Sequence, residues 1–218
     1  MDPLIIGLGH KARQGKDWIA AKAVEGDNLS IILHFADPLK EEVENKERKF
    51  PLIYIDDSAY NLLSDSKNIT YISKLPEEVP YLHKIIQERN ITEYWGMDSK
   101  DSKMLQFWGT DFRRASDDNY WVNKIKEQIE SFNGKYRKVY IPDVRFKNEL
   151  AFIREMGGIY IEVIRVNKDT GDRWLDDSRD PNHASEIDLD NAEFDISVLA
   201  HDGDLNSLND FANYLKKI

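Results

Sequence analysis

The sequence predicts an α/β fold built on a parallel sheet, and three observations carry that expectation. Leu4–Leu8 is an apolar run bounded by Pro3 and Gly9, the pattern of a strand buried on both faces. An alanine-rich stretch with helical spacing, starting at Lys16, follows one loop later and stops at Gly26. The alternation then repeats, strand against helix, as the opening of a sheet covered by helices.

Each element has its own signal. "SIILHFA" (Ser30–Ala36) reads as a second buried strand. "DPLKEEVENK" reads as a helix, with Asp37 as N-cap and Pro38 at the first helical position. Residues 48–100 break the rhythm, mixing turn residues with short helical patterns, and read as an insertion. "SKMLQFWGTDFRRAS" and "DDNYWVNKIKEQIESF" read as two helices, the second capped by Asp118 or Asn119. Arg137–Val144 is the next strand, and "FKNELAFIREMGG" a helix ended by glycine. "IYIEVIRV" is a strand, "EFDISVLAHDG" holds the last one, and "DLNSLNDFANYLKKI" closes with an amphipathic helix. Between them, residues 167–186 are polar, turn-rich and too long for an ordinary connection, which suits a mobile lid.

Composition narrows the function classes. The 218 residues, 41% hydrophobic and 11% aromatic, suffice for one domain with an insertion. A formal charge of −10 disfavours a nucleic-acid polymer as partner, since phosphate backbones are held by an excess of Lys and Arg, and suits a small phosphorylated ligand held by a few local cations. No apolar run is long enough to span a membrane, and the start lacks the basic and apolar regions of a secretory signal. The absence of cysteine excludes disulfides, Cys-ligated zinc and thiol catalysis, and fits a cytoplasmic location. A homodimer is compatible with the sequence.

Four stretches can carry chemistry. "GLGHKARQGKDW" nearly matches the phosphate-loop pattern G-x-x-x-x-G-K-[ST], but His10 stands at the first glycine and Asp17 at the Ser/Thr. A turn that points backbone N–H groups from a strand end into a helix N-terminus cradles anions. Lys16 would add a point charge, with Lys11 and Arg13 nearby; the alternative is an ordinary turn with a solvated lysine. Asp17 can ligate Mg²⁺ or accept a proton, as a serine cannot. In "VYIPDVRF", Asp143 ends a strand where open α/β sheets bind ligands, so it can orient Mg²⁺, and Arg145 can reach a transferring phosphate; alternatively Asp143 caps the helix starting near Phe146. In "KMLQFWGTDFRR", helical spacing sets Lys103, Gln106 and Thr110 (or Gly109) on one face. Those types suit a phosphate, a base edge and a close ligand approach, while Leu105, Phe107, Trp108 and Phe112 read as core. Trp121 is either core or an aromatic wall. Arg165, Arg173 and Arg179 can close over a triphosphate, though the acidic residues around them offer simple ion pairs. His183 and Glu186 are too few to hold a metal. His34, His83 and His201 look isolated.

Together, "HKARQGKD", "FADPLKEEV", "LQFWGTDFRR…YWVNKI", "PDVRFKNELAFIREMGG" and "HASEIDLD…FDI" resemble, in order and approximate spacing, the bacteriophage deoxynucleoside monophosphate kinases. The resemblance covers nearly the whole chain except residues 48–100. It implies a P-loop NTPase domain over 1–218, of the three-layer nucleoside monophosphate kinase type. The insertion would be a monophosphate-side subdomain and the stretch 167–186 a lid. It also implies transfer of the ATP γ-phosphoryl group to a deoxynucleoside 5′-monophosphate, with Mg²⁺, supplying precursors for phage DNA synthesis in the host cytoplasm. Carried over by position, Lys11, Arg13, Gly15, Lys16 and Arg145 would hold ATP. Asp17, Lys103, Gln106, Gly109, Thr110, Trp121 and Asp143 would hold the monophosphate, with Lys16, Asp17, Asp143 and Arg145 catalytic, Asp17 and Asp143 the Mg²⁺ ligands, and Arg173 and Arg179 in the lid. Asp after the loop lysine is usual in that family; His10 and Trp18, where a Thr is common, are departures. The rival readings are a kinase of another small acceptor such as a coenzyme precursor, a nucleotide-binding regulator without transfer, and a polynucleotide kinase, which the acidic charge disfavours.

Overall fold

Apolar residues alternate across every central strand, and each face of the sheet draws its own helices. The computed structural model describes residues 2–47, 105, 107–114, 117–176 and 181–218. Five parallel strands, β1 (Leu4–Gly9), β2 (Ser30–Ile32), β3 (Lys138–Val144), β4 (Ile159–Val166) and β5 (Ile196–His201), lie in the order β2-β3-β1-β4-β5. On β1, Ile5 faces a core shared with helices α3 (Tyr120–Ser131) and α4 (Lys147–Glu155), through Val122, Ile125, Phe152 and Ile153. Ile6 and Leu8 face the other core, with α1 (Lys16–Val24) and the C-terminal helix α6 (Leu205–Lys217), through Ile19, Ala23, Leu208 and Ala212. The three-layer α/β architecture expected from the sequence is therefore present.

The strand order places the chemistry. The connection after β1 leads toward β2, while that after β3 leads the opposite way to β4, so a crevice opens outside the carboxyl ends of the adjacent strands β1 and β3. The β1–β3 register shifts there: Gly7 pairs with Ile141 but Gly9 with Val144, so β3 carries one extra residue around Pro142–Asp143. Proline has no N–H to give a ladder, which suits this irregularity, and the bulge lies beside the loop that follows Gly9.

Two expectations about this half of the chain change. The second strand ends at Ile32 rather than Ala36. Leu33 still bonds the Tyr140 carbonyl, but the Phe35 N–H goes to the Asp143 carboxylate, so the apolar run turns out of the sheet while Leu33 and Phe35 stay buried. Helix α2 spans Ala36–Glu47, so Asp37 sits in its first turn rather than capping it. In α6, Asp204 caps the N-terminus, accepting from the N–H groups of Asn206 and Ser207.

The chain divides into two compact units, 1–35 with 122–218, and 36–121. The second contains α2 and a π-helical segment, Phe107–Arg114, in place of the expected α-helix. In π geometry the hydrogen bonds run i to i+5, so within Phe107–Arg114 the α-helical i, i+3, i+4 spacing does not apply. Lys103 and Gln106, the insertion 48–100 with His83, and Arg179 lie outside the described residues. Among the described residues, no helix is long and apolar enough to cross a membrane.

Candidate functional site

The loop between β1 and α1 is shaped from both ends. Gly15 sits at φ 100°, which favours glycine, and its absent Cβ would lie 2.8 Å from Leu208 Cδ1. Gly9 is fixed by space instead: a Cβ there would fall inside the Tyr160 phenol. Arg13, at φ 53°, is the loop's other left-handed residue, and His10 is not among them, so its replacement of glycine costs no positive φ. The His10 imidazole is buried beside Phe194 (6.0 Å between ring centroids), and burial holds its pKa below the usual histidine value.

Lys16 opens α1 and is only 3% exposed. Its Nζ donates to the Lys11 carbonyl, folding the side chain back into the loop. Burial, helped by the positive charge of Arg145, lowers its pKa to about 7, against the pull of Asp143, Asp17 and Glu186. Three carboxylates and a second cation thus act electrostatically on one buried ammonium. Asp17, in the first turn of α1, bonds His34 Nε2 at 3.2 Å, and this bond holds its carboxyl below the usual range. The Asp17 side chain is 79% exposed, and an exposed pair contributes only about 0–1 kcal/mol, so a ligand can displace it easily. Asp143 accepts the Phe35 N–H at 3.0 Å and is not the cap of α4. The N-cap is Phe146, and Glu149, three residues on, receives the N–H groups of Arg145 (2.7 Å) and Phe146 (3.1 Å).

Several residues enter that the sequence did not suggest. Arg145 Nη1 pairs with Glu186 Oε1 at 2.6 Å, and Lys11 Nζ reaches both the Glu186 carbonyl and the Asp190 carboxylate. His34, read as isolated, partners Asp17. Contacts spanning 17 to 179 positions leave no local pattern to find. His183, considered beside Glu186 as a metal ligand, instead caps the short helix α5 (Ala184–Ile187) by accepting the Ser185 N–H. Trp18, at the place of the expected Thr, turns away from the loop: its indole N–H donates to Asn209 on α6 at 2.9 Å. Arg13 pairs with Asp176 (3.2 Å) and Arg173 with Glu162 (2.9 Å). Residues 167–176 are tied to β4 through Trp174 N–H to the Arg165 carbonyl and a Val166–Arg173 bridge.

Among the described residues, no three His, Cys, Asp or Glu are grouped to cage a metal. Mg²⁺, however, takes one or two carboxylates and completes its shell with phosphate oxygens and water. Asp17 and Asp143, both acting on Lys16, fit that requirement.

In the 36–121 unit, Gly109 is buried, and a Cβ on it would lie 2.8 Å from Leu39 Cδ2. Its carbonyl accepts the Trp121 indole N–H at 2.9 Å, and Trp121 is itself 3% exposed. Thr110 is half-buried. Arg113 donates to Glu42 (2.8 Å from Nε), which also accepts from the Tyr120 hydroxyl (3.1 Å).

A model of the deoxynucleotide monophosphate kinase family matches residues 51–211, leaving the phosphate loop to stand on its own geometry. The deoxynucleotide monophosphate kinase of enterobacteria phage T4 is 28% identical over 121 residues, 55% of this chain. The match spans 44% of that protein's length.

Proposed function

The chain belongs to the deoxynucleotide monophosphate kinase family, and from that premise we propose that it transfers the γ-phosphoryl group of ATP to a deoxynucleoside 5′-monophosphate. The observation that carries this reading is the buried Lys16 at the junction of a glycine-shaped loop and a helix N-terminus, with Asp17, Asp143 and Arg145 around it. Phosphoryl transfer asks for position and charge neutralisation more than for covalent chemistry. Lys16 and Arg145, with Lys11, Arg13 and the backbone at Gly15, hold the donor phosphates. Asp17 sits beside the acceptor phosphate, and its weak tie to His34 lets it turn there. Asp143 and Asp17 would hold Mg²⁺, which supplies further neutralisation at the phosphate oxygens. The acceptor nucleotide is held by Gly109 and Thr110, with Lys103 and Gln106, while Trp121 fixes the Gly109 carbonyl. Residues 167–186, with Arg173 and Arg179, act as the lid that excludes water as a competing acceptor, and residues 48–100 as the monophosphate-side subdomain.

The test is ADP release with a panel of deoxynucleoside monophosphates, ribonucleoside monophosphates and unrelated acceptors. Release that depends on a deoxynucleoside monophosphate is expected. Release with a different acceptor class would reassign the substrate, and nucleotide binding without turnover would end the kinase reading.

Binding should also be linked to a proton. With Lys16 at about 7 in the free protein, bound phosphate raises its pKa, so below pH 7 the ammonium is already present and above it a proton must be taken up. ATP affinity should therefore fall as pH rises from 7 to 8.5, by up to about tenfold per unit. Calorimetry in two buffers of different ionisation enthalpy should register proton uptake at pH 8. Equal heats in both buffers would remove Lys16 from this role.

A further inference from the structure

Three carboxylates spaced two apart, Glu186, Asp188 and Asp190, each hold a cation at the carboxyl edge of the sheet. Glu186 pairs with Arg145, and its other oxygen accepts the loop amide of Ala12 at 3.4 Å. Asp190 takes the Lys11 ammonium and His10 Nε2 (3.0 Å), and the Glu186 carbonyl also receives Lys11. Asp188 receives both the Lys147 ammonium (3.2 Å) and its backbone N–H (2.8 Å). The groups assigned above to the donor phosphates, Lys11 and Arg145, are thus already held by anions, and so is an N–H of the loop between them.

A carboxylate and a phosphate ask the same of a guanidinium, an ammonium and an amide N–H, and two anions do not share one set of donors without repulsion. We propose that residues 183–190 are an internal anionic plug of the donor-phosphate site, in which Glu186, aided by Asp190, occupies Arg145, Lys11 and the Ala12 amide until a polyphosphate displaces it. The inference rests on the reading that this loop takes polyphosphate. Leu189 anchors the segment in the core, so what is displaced is the hold of the Glu186 and Asp190 side chains on the loop. Helix α5 is one turn long, capped from within by His183, and its backbone bonds, Glu186 N–H to His183 and Asp188 N–H to Ala184, close inside the segment. Displacement therefore breaks side-chain ties to the loop without breaking the turn.

A different role for Glu186, as a permanent partner that orients Arg145, makes opposite predictions. Glu186→Gln keeps the shape and removes the charge. A plug predicts that this variant binds tripolyphosphate and ATP about tenfold more tightly than the wild type, whereas an orienting partner predicts weaker binding. The wild type supplies an independent measurement that does not depend on the variant folding. Saturating tripolyphosphate should speed hydrogen exchange at the amides of residues 184–190. Slowed or unchanged exchange overturns the plug whatever the variant does, and so does unchanged or weakened affinity in a folded Glu186→Gln. In those cases wild-type binding of tripolyphosphate still leaves the kinase reading intact. Failure of both proteins to bind tripolyphosphate and ATP overturns plug and kinase reading together, and binding by the variant alone is the plug in its strongest form.

Discussion

Lys16→Met is expected to cost roughly 10³-fold in phosphoryl transfer, the scale seen when a single group stabilising transition-state charge is removed, and yet to raise the melting temperature of the ligand-free protein. The two effects share a cause. Among the described residues the buried ammonium has only a loop carbonyl as a hydrogen-bonding partner, and burial displaces its pKa from 10.5 to about 7. At about 1.4 kcal/mol per pH unit, that displacement represents several kcal/mol held against folding whenever the lysine is charged. Methionine fills similar space without the charge. The pH dependence separates this from ordinary repacking. Between pH 7 and 10.5 the unfolded chain keeps the lysine proton and the folded chain does not, so wild-type stability climbs with pH across that window. The methionine variant lacks this climb. Its advantage should be largest at pH 7 and below and vanish near pH 10, as denaturant titrations at both ends will register. A gain independent of pH would mean the lysine is not under this strain.

Gly9→Ala should be the most damaging small substitution in the sheet. The new methyl would occupy the space of the Tyr160 phenol, a fully buried ring stacked on Phe194 at 5.0 Å between centroids. Overpacking of this kind costs about 3 kcal/mol or more when neither side can yield, which for a protein of this size is a fall on the order of 10 °C in melting temperature. The hydroxyl alone is not the obstacle, because the ring carbon that carries it is also too close. Tyr160→Phe should therefore fail to rescue Gly9→Ala. On its own it should be neutral or stabilising by up to about 1 kcal/mol, since the Tyr160 hydroxyl is buried without a hydrogen-bond partner among the described residues. Thermal melts of the two single variants and the double variant decide the matter; rescue by phenylalanine would locate the clash wrongly.

The legible parts of this molecule were those written locally. β1, β3, β4 and β5 are predominantly apolar stretches between turn residues, and α6 announces itself by periodicity and by Asp204 at its cap. β2 was overread because burial and strand pairing part company at its end: Phe35 is buried, but its N–H is spent on a side chain. The positions of Lys16, Asp17, Asp143 and Arg145 at the end of a strand or the start of a helix were legible, because strand ends and helix starts are marked locally. Glu186, Asp190 and His34 were not, since their partners lie far away in the chain and their own neighbours give no hint. The π-helical segment Phe107–Arg114 was hidden for another reason: nothing in its residue pattern marks the change of hydrogen-bonding period.

One buried side chain binds two distant stretches of sequence. Gln14 donates from Nε2 to the carbonyls of Ala12 (3.0 Å) and Trp174 (2.9 Å), and its oxygen accepts the Arg165 N–H at 2.7 Å. The curvature of the loop is thereby written partly by residues some 160 positions downstream. On the proposed reading of this loop, substitutions around Trp174 retune its hold on phosphate without altering any group that would touch one. For selection or for an engineer, that makes the turn at Trp174 an adjustable control on the proposed grip.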